Sequence, residues 1–374
     1  MNAFSKNNHL KYGFTEDFLP EAMNSIFHIG LGDLSTPVQS FSAECIRAAL
    51  DIQIMARGKN IYITLSGGVD SECVLRSFIM AKVPIKVAIL KFKDDLNWHD
   101  VDPAITICNQ LKVNYTLIEI DIFEFLAKEI HLRYAADYKL SSPMIASHLW
   151  LAEYIIENLQ GFPIFSGDFA RIRRPTNTQL RLPKAESVQL GEYVICPEEW
   201  YFASLANQDH FALDRLFHQK KVFGVANFYL YSPEQVASSI QNGFSVAFRD
   251  FENSLGPFLI NKKKNSNLTF YEGQIFLNKV KEHLFRLGGF EVNTRDSKWT
   301  GFELVHEYFG TGQKMNGRAL SPIGKSEEKI SGMVLFNAKY RQPMEKIAQQ
   351  THLKRILLKS SLYEYIELTL RPQS

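Results

Sequence analysis

Four short runs of β-branched and aromatic residues, each separated from the next by helix-length segments, constrain this chain more than any other feature. Ile61 to Leu65 (IYITL), Ile85 to Phe92 (IKVAILKF) and Tyr115 to Ile120 (YTLIEI) read as buried strands, and Pro163 to Phe165 as a short fourth. The intervals read as helices. They are Ser71 to Ala81, a segment capped at Asp102-Pro103 and reaching Leu111, Ile122 to Ala136, and Pro143 to Leu159 opened by Ser142. A further helix over 37–57, with Thr36 as cap, Pro37 at its first position and Arg57-Gly58 as its stop, precedes the first strand. Strands alternating with helices of this length predict βαβ units with right-handed crossovers, hence an α/β fold built on a doubly wound parallel sheet. In such a sheet ligands bind in the crevice outside the carboxyl ends of the strands.

After about residue 190 the pattern changes. Glu198 to Gln208, Phe211 to Lys221, Pro233 to Gln241, Tyr271 to Leu287, Gly301 to Tyr308 and Pro343 to Lys359 all read as mostly helical. Ser232-Pro233-Glu234 is a clear helix start and Leu287-Gly288-Gly289 a clear stop. The 374 residues therefore divide into an extension over 1–36, an α/β domain over 37–190 and a mainly helical substrate or partner domain over 191–374. The 28 phenylalanines supply apolar mass for such cores. Trp200, Tyr201, Phe202, Phe211, Phe217, Phe228, Tyr229 and Tyr231 cluster early in the helical half, where core packing is the simpler reading and a recognition surface the alternative.

Chemistry concentrates in Leu65-Ser66-Gly67-Gly68-Val69-Asp70-Ser71, between the first core strand and the helix after it. Two consecutive glycines let the backbone turn sharply and bring N–H groups close to a ligand without a Cβ in the way. The helix that follows aims its dipole and free N–H groups at the same place. With the hydroxyls of Ser66 and Ser71, this makes an anion cradle suited to phosphate oxygens. A carboxylate there, Asp70, makes sense if Mg²⁺ sits between it and the phosphates.

The string SGGVDS after an apolar strand resembles the signature of the PP-loop ATP pyrophosphatases, the adenine nucleotide alpha-hydrolase-like family, over roughly Ser40 to Arg174. The resemblance implies a HUP-like sheet and ATP with Mg²⁺ as cofactors. It implies that Ser66, Gly67, Gly68, Val69, Asp70 and Ser71 hold ATP and pyrophosphate. Leu90 is expected to contact adenine through its backbone, and Phe92 to line the base. Phe165-Ser-Gly-Asp168 resembles the SGxGxDE segment of asparagine synthetases, which implies Gly167 as a binding residue and Asp168 as a second metal ligand beside Asp70, with a capping aspartate as the alternative reading of Asp168. Phe169-Ala-Arg171 departs from that segment's acidic continuation. Asp70, Arg171 and Lys325 are the expected catalytic residues. Arg171 opens a basic run (Arg171, Arg173, Arg174, Arg181, Lys184) that reads either as a clamp on pyrophosphate, acidic substrate or RNA phosphate, or as a solvated loop. Lys325 is assigned because synthetases of this family bring a lysine from their helical half.

The resemblance is nearest to the synthetase domain of asparagine synthetase-like proteins. It implies an AMP-forming ligase: a carboxylate, amide or similar oxygen attacks the α-phosphorus, pyrophosphate leaves, and a nitrogen nucleophile captures the adenylate. No N-terminal cysteine nucleophile follows Met1, so the amine is expected from solution, a partner subunit or the acceptor itself. Cys45, Cys73, Cys108 and Cys196 form no CxxC pair, which argues against a zinc cluster or a paired-cysteine tRNA thiolase. A tRNA- or nucleobase-modifying activity stays open, and the tRNA branch is the less favoured. It is disfavoured by 42 Lys+Arg against 40 Asp+Glu, a net +2. A nucleotide-binding module of a multi-protein system is the non-ligase alternative. With no run of about 20 apolar residues and no secretory h-region at the start, a cytoplasmic protein without membrane contact is expected.

Overall fold

A computed structural model describes residues 11–14, 27–30, 32–167, 169, 172–173, 188–190, 193–195, 201–202, 211–244, 270–292, 301–312, 327–348, 357–358, 360–362 and 364–365. Two strands, β1 (Lys11–Phe14) and β2 (Phe27–Gly30), pair antiparallel ahead of the first helix. That helix, α1 (Phe41–Ala56), begins at Ser40, whose Oγ accepts from the Ala43 N–H at 3.4 Å. The expected start at Thr36-Pro37 fails for a physical reason. The N–H groups of Ser35 and Thr36 are drawn to the buried Glu234 carboxylate at 2.6 and 3.0 Å, which holds that segment outside the helix. Arg57, in the left-handed region at φ 51°, ends α1 one residue before Gly58.

The core then alternates as the sequence predicts: β3 (Ile61–Thr64), α2 (Val69–Met80), β4 (Lys86–Phe92), α3 (Trp98–Leu111), β5 (Tyr115–Ile120). Here α3 starts four residues before the expected Asp102. The Asn97 side chain accepts from the Phe92 N–H at 2.7 Å and donates to the Leu90 carbonyl at 2.9 Å, so the chain is anchored to the end of β4 and turns helical at once. Pro103 lies inside the helix, where only one intrahelical donor is lost. The single helix expected over 122–136 is two, α4 (Ile122–Ala127) and α5 (Ile130–Tyr138), broken at Glu129 with φ 56°. Next come α6 (Pro143–Glu157), capped by Ser142, and β6 (Phe162–Ile164).

These four strands form one parallel sheet in the order β5-β4-β3-β6, with Ile63 opposite Val87 on one side and Ile164 on the other. The chain starts at β3, winds outward through β4 and β5, then returns to place β6 on the far side of β3. The winding direction therefore reverses at β3, and the loops after β3 and β6 open on one crevice. This is the α/β fold with a parallel sheet that the alternation predicts.

Further along lie the short strands β7 (Ile172–Arg173), β8 (Val188–Leu190), β9 (Tyr193–Ile195) and β10 (Tyr201–Phe202). Of the helix expected over 198–208, the two described residues are β10, paired antiparallel with β7. The helices α7 (Ala212–Gln219), α8 (Pro233–Gln241), α9 (Phe270–Leu287), α10 (Glu303–Thr311), α11 (Glu327–Phe336) and α12 (Gln342–Ala348) follow. The helix expected to reach Lys359 gives way instead to β11 (Leu357–Leu358), which joins β2 and β9 in a second, five-stranded sheet. No helix among the described residues is long and apolar enough to cross a membrane.

Each face of the parallel sheet carries its own apolar cluster. One gathers α1, α2 and α3 with Phe169, Tyr229, Phe244 and Phe285; the other gathers α4 to α7 with Phe302, Phe336 and Met344. Phe169 stacks on Phe244 at 4.1 Å and on Tyr229 at 3.9 Å between ring centroids. Phe211, Phe217, Phe228, Tyr229 and Tyr231 are all buried, so these five build core, while the side chains of Trp200, Tyr201 and Phe202 lie outside the described ones.

Candidate functional site

The crevice is assembled by hydrogen bonds at the carboxyl ends of the strands. Thr64 Oγ1 donates to the Ile164 carbonyl at 2.9 Å, which locks the end of β3 to β6. The Leu65 N–H donates to Ala88 at 3.0 Å, which extends pairing with β4 by one residue. The chain then turns at Gly67, with φ +67°. A Cβ there would lie 2.8 Å from both the Asp100 carbonyl and the Ala104 nitrogen of α3, so only glycine fits the turn.

Gly68 is the N-cap of α2 and supplies no side-chain cap. The first backbone bond of the helix runs from the Glu72 N–H to the Gly68 carbonyl at 3.0 Å, so the N–H groups of the helix's first turn have no intrahelical acceptor. Ser71 Oγ organises the loop: it donates to the Gly68 carbonyl at 3.0 Å, accepts from the Ser66 N–H at 3.3 Å and sits 3.2 Å from Ser66 Oγ. An uncapped helix N-terminus beneath two hydroxyls is an arrangement that holds anionic oxygens.

The second wall follows β6. The Phe228 N–H donates to the carbonyls of Phe165 and Ser166 at 3.0 and 3.1 Å. Gly167 has φ +67°, and a Cβ there would fall 2.1 Å from Asn227 Cγ. Together these walls enclose a cleft of about 220 Å³, lined by Ser66, Ser71, Leu90, Ser166 and Gly167 with apolar residues from β4, α6 and α7. An apolar cleft with a few convergent polar groups at a helix N-terminus is the kind of place where small ligands bind.

Of the residues expected from sequence, Ser66, Ser71, Leu90 and Gly167 are brought together in this cleft, and Gly67 and Gly68 form its turn. Val69 points its side chain into the core. Phe92 does not line the cleft; it is buried edge-on against Phe302 at 5.3 Å. Asp168, Arg171 and Lys325 lie outside the described residues.

Asp70 is at the second position of α2, where a carboxylate favours the helix dipole. Its Oδ2 meets the ammonium of Lys281, from α9, at 2.7 Å, and Tyr229 donates to its backbone carbonyl at 2.6 Å. Among the described residues no three His, Cys, Asp or Glu side chains gather as a metal site. One oxygen of Asp70 is held by the buried Lys281 and the other is buried with no hydrogen-bond partner, so among the described residues Asp70 is the single expected metal ligand at this turn; Asp168, the second, lies outside them.

Sequence reading passed over Lys281 and His148, yet each carries a signal. Lys281, Leu284 and Phe285 share the i, i+3, i+4 spacing of a buried stripe, so a lysine on it needs a partner. His148 follows Ile145 and precedes Leu151 on the cleft-facing side of α6. Burial pushes its pKa down to about 4, so it is a neutral imidazole. The three described cysteines are buried, and burial raises the Cys45 thiol to about 12 and the Cys108 thiol to about 11, which leaves them unreactive core groups.

No protein-family model matches this chain, and no curated protein sequence matches it. Among solved structures, the chain is similar to NMN synthetase from Francisella tularensis at 18% identity and a TM-score of 0.28, over 35% of this chain and 54% of that one. It thus spans about half the length of that structure.

Proposed function

We propose that the cleft binds ATP, with the phosphates on the Ser66–Ser71 turn and the base toward Leu90, and that the chain is an AMP-forming ligase of the PP-loop ATP pyrophosphatase type. The observation that carries this reading is the convergence of Ser66, Ser71, Leu90 and Gly167 on one cleft at the uncapped N-terminus of α2. On binding, phosphate oxygens take the loop's N–H groups, and the Ser66 N–H exchanges Ser71 Oγ for a stronger, charged acceptor. A carboxylate or amide oxygen of a small acceptor then attacks the α-phosphorus. Its bond to the bridging oxygen breaks, and pyrophosphate leaves toward the same turn. Charge grows on the β-phosphate as that bond breaks, so donors fixed at the turn stabilise the transition state more than the ground state. A nitrogen nucleophile then displaces AMP from the adenylate. Arg171 and Lys325 are proposed as contacts to phosphate or acceptor and Asp168 as a metal ligand; all three lie outside the described residues. The asparagine synthetase-like branch and the acceptor's identity are part of the proposal.

The test is ATP–pyrophosphate exchange across a panel of carboxylates and amides, with ATP supplied as its magnesium complex and with and without ammonia. Acceptor-dependent exchange, with AMP as the nucleotide product, is the expected outcome. Release of ADP and orthophosphate in place of AMP and pyrophosphate would overturn the ligase assignment.

A further inference from the structure

The cleft has two chemically different ends. α2 belongs to the apolar cluster on one face of the sheet and α6 to the cluster on the other. The Ser66–Ser71 turn and the α6 wall therefore approach the cleft from opposite sides of the strand ends. At the turn the groups are hydroxyls and N–H donors. At the α6 wall they are Ile145, Leu151, Phe165 and Leu213, with one polar side chain among them, His148. Its contact is the Phe165 ring, 6.2 Å between centroids. Neither imidazole nitrogen has a hydrogen-bond partner among the described residues.

His148 is half-buried in this apolar wall, so its unpaired nitrogens are polar groups of the cleft that a ligand can meet. The apolar surroundings lower its pKa to about 4 and keep the imidazole neutral. A neutral imidazole offers one N–H donor and one bare acceptor. We propose that His148 is the residue that reads the polar edge of the adenine base, and so sets which nucleotide the cleft accepts. The flat apolar walls take the faces of the ring, and His148 supplies a hydrogen bond to its amino group or to a ring nitrogen. Phosphate contacts carry no information about the base, so discrimination must come from this end of the cleft.

The inference rests on the ATP reading above, and the experiment separates the two. Dissociation constants for ATP and for inorganic tripolyphosphate are measured by calorimetry on the wild-type chain, on His148→Phe, which keeps the packing, and on His148→Asn, which keeps a donor and an acceptor. Wild type is expected to bind ATP more tightly than tripolyphosphate. His148→Phe should weaken ATP about tenfold while leaving tripolyphosphate unchanged, because one hydrogen bond to the base is lost and a polar edge is left unpaired. His148→Asn should recover part of that loss. Unaltered ATP affinity in His148→Phe would overturn the inference alone, and so would equal weakening of ATP and tripolyphosphate. A wild-type chain that binds neither ligand would instead overturn the ATP reading on which it stands. Thermal melts of both variants confirm that the fold persists.

Discussion

Gly67 shows how a single position can join fold to function. Its φ of +67° is in the left-handed region, and the backbone of α3 leaves no room for a Cβ on either side. Gly58, at φ +79°, has open space around it. Gly67→Ala should therefore cost about 2–4 kcal/mol and weaken nucleotide binding, whereas Gly58→Ala should cost only about 1 kcal/mol of backbone strain and leave binding alone. Urea unfolding with ATP titration checks both, and equal costs at the two sites would contradict the close approach. His131 and His148 make a second residue-scale case. Burial pushes both pKa values down to about 4 from 6.5, so the unfolded chain binds their protons first as pH falls. Their contribution to stability is whole above pH 6.5, is lost between 6.5 and 4, and levels below that, by roughly 3 kcal/mol per imidazole at most. A His131→Phe/His148→Phe double variant should flatten the stability–pH curve in that window, and an unchanged slope would refute the assignment.

Among the elements, α2 and α9 are joined by the Asp70–Lys281 pair, whose lysine side chain is 4% exposed. Removing one member of a buried pair leaves the other charge stranded, typically at a cost of about 3–5 kcal/mol, while removing both can be near neutral. Asp70→Asn and Lys281→Met are each expected to destabilise, and the double variant to be no less stable than either single, as read by a double-mutant cycle in urea. Additive losses would mean that the two side chains act independently. The parallel strands could be read from sequence because a buried run of β-branched residues needs no partner information to declare itself. Tyr115–Ile120 matches its expected bounds for that reason. Helix starts were less legible, because distant groups set them: Glu234 holds Ser35 and Thr36 outside α1, and the Asn97 side chain draws α3 forward. The same applies to the site. SGGVDS announces an anion turn locally, but Lys281 reaches Asp70 across 211 positions of chain, and no local pattern records that meeting.

At the scale of the molecule, described residues from 211 onward pack into both apolar clusters of the α/β sheet, so the cleft and the later helices stand on shared cores. Phe169, two residues past Gly167, stacks between Tyr229 and Phe244 and ties the second wall of the cleft to that shared packing. Phe169→Ala should cost about 3–5 kcal/mol in a urea melt and loosen the cleft with it. A loss below about 1 kcal/mol would show that the stack does not hold the wall. The central claim, that the crevice between β3, β4 and β6 is an ATP site with its phosphates on the Ser66–Ser71 turn, is open to direct inspection. A crystal structure with α,β-methylene-ATP should place the phosphates on the first turn of α2 within hydrogen-bond reach of Ser66 and Ser71, and the base between Leu90 and His148. Nucleotide seated elsewhere on the chain, with this turn still bonded to itself through Ser71, would contradict the account.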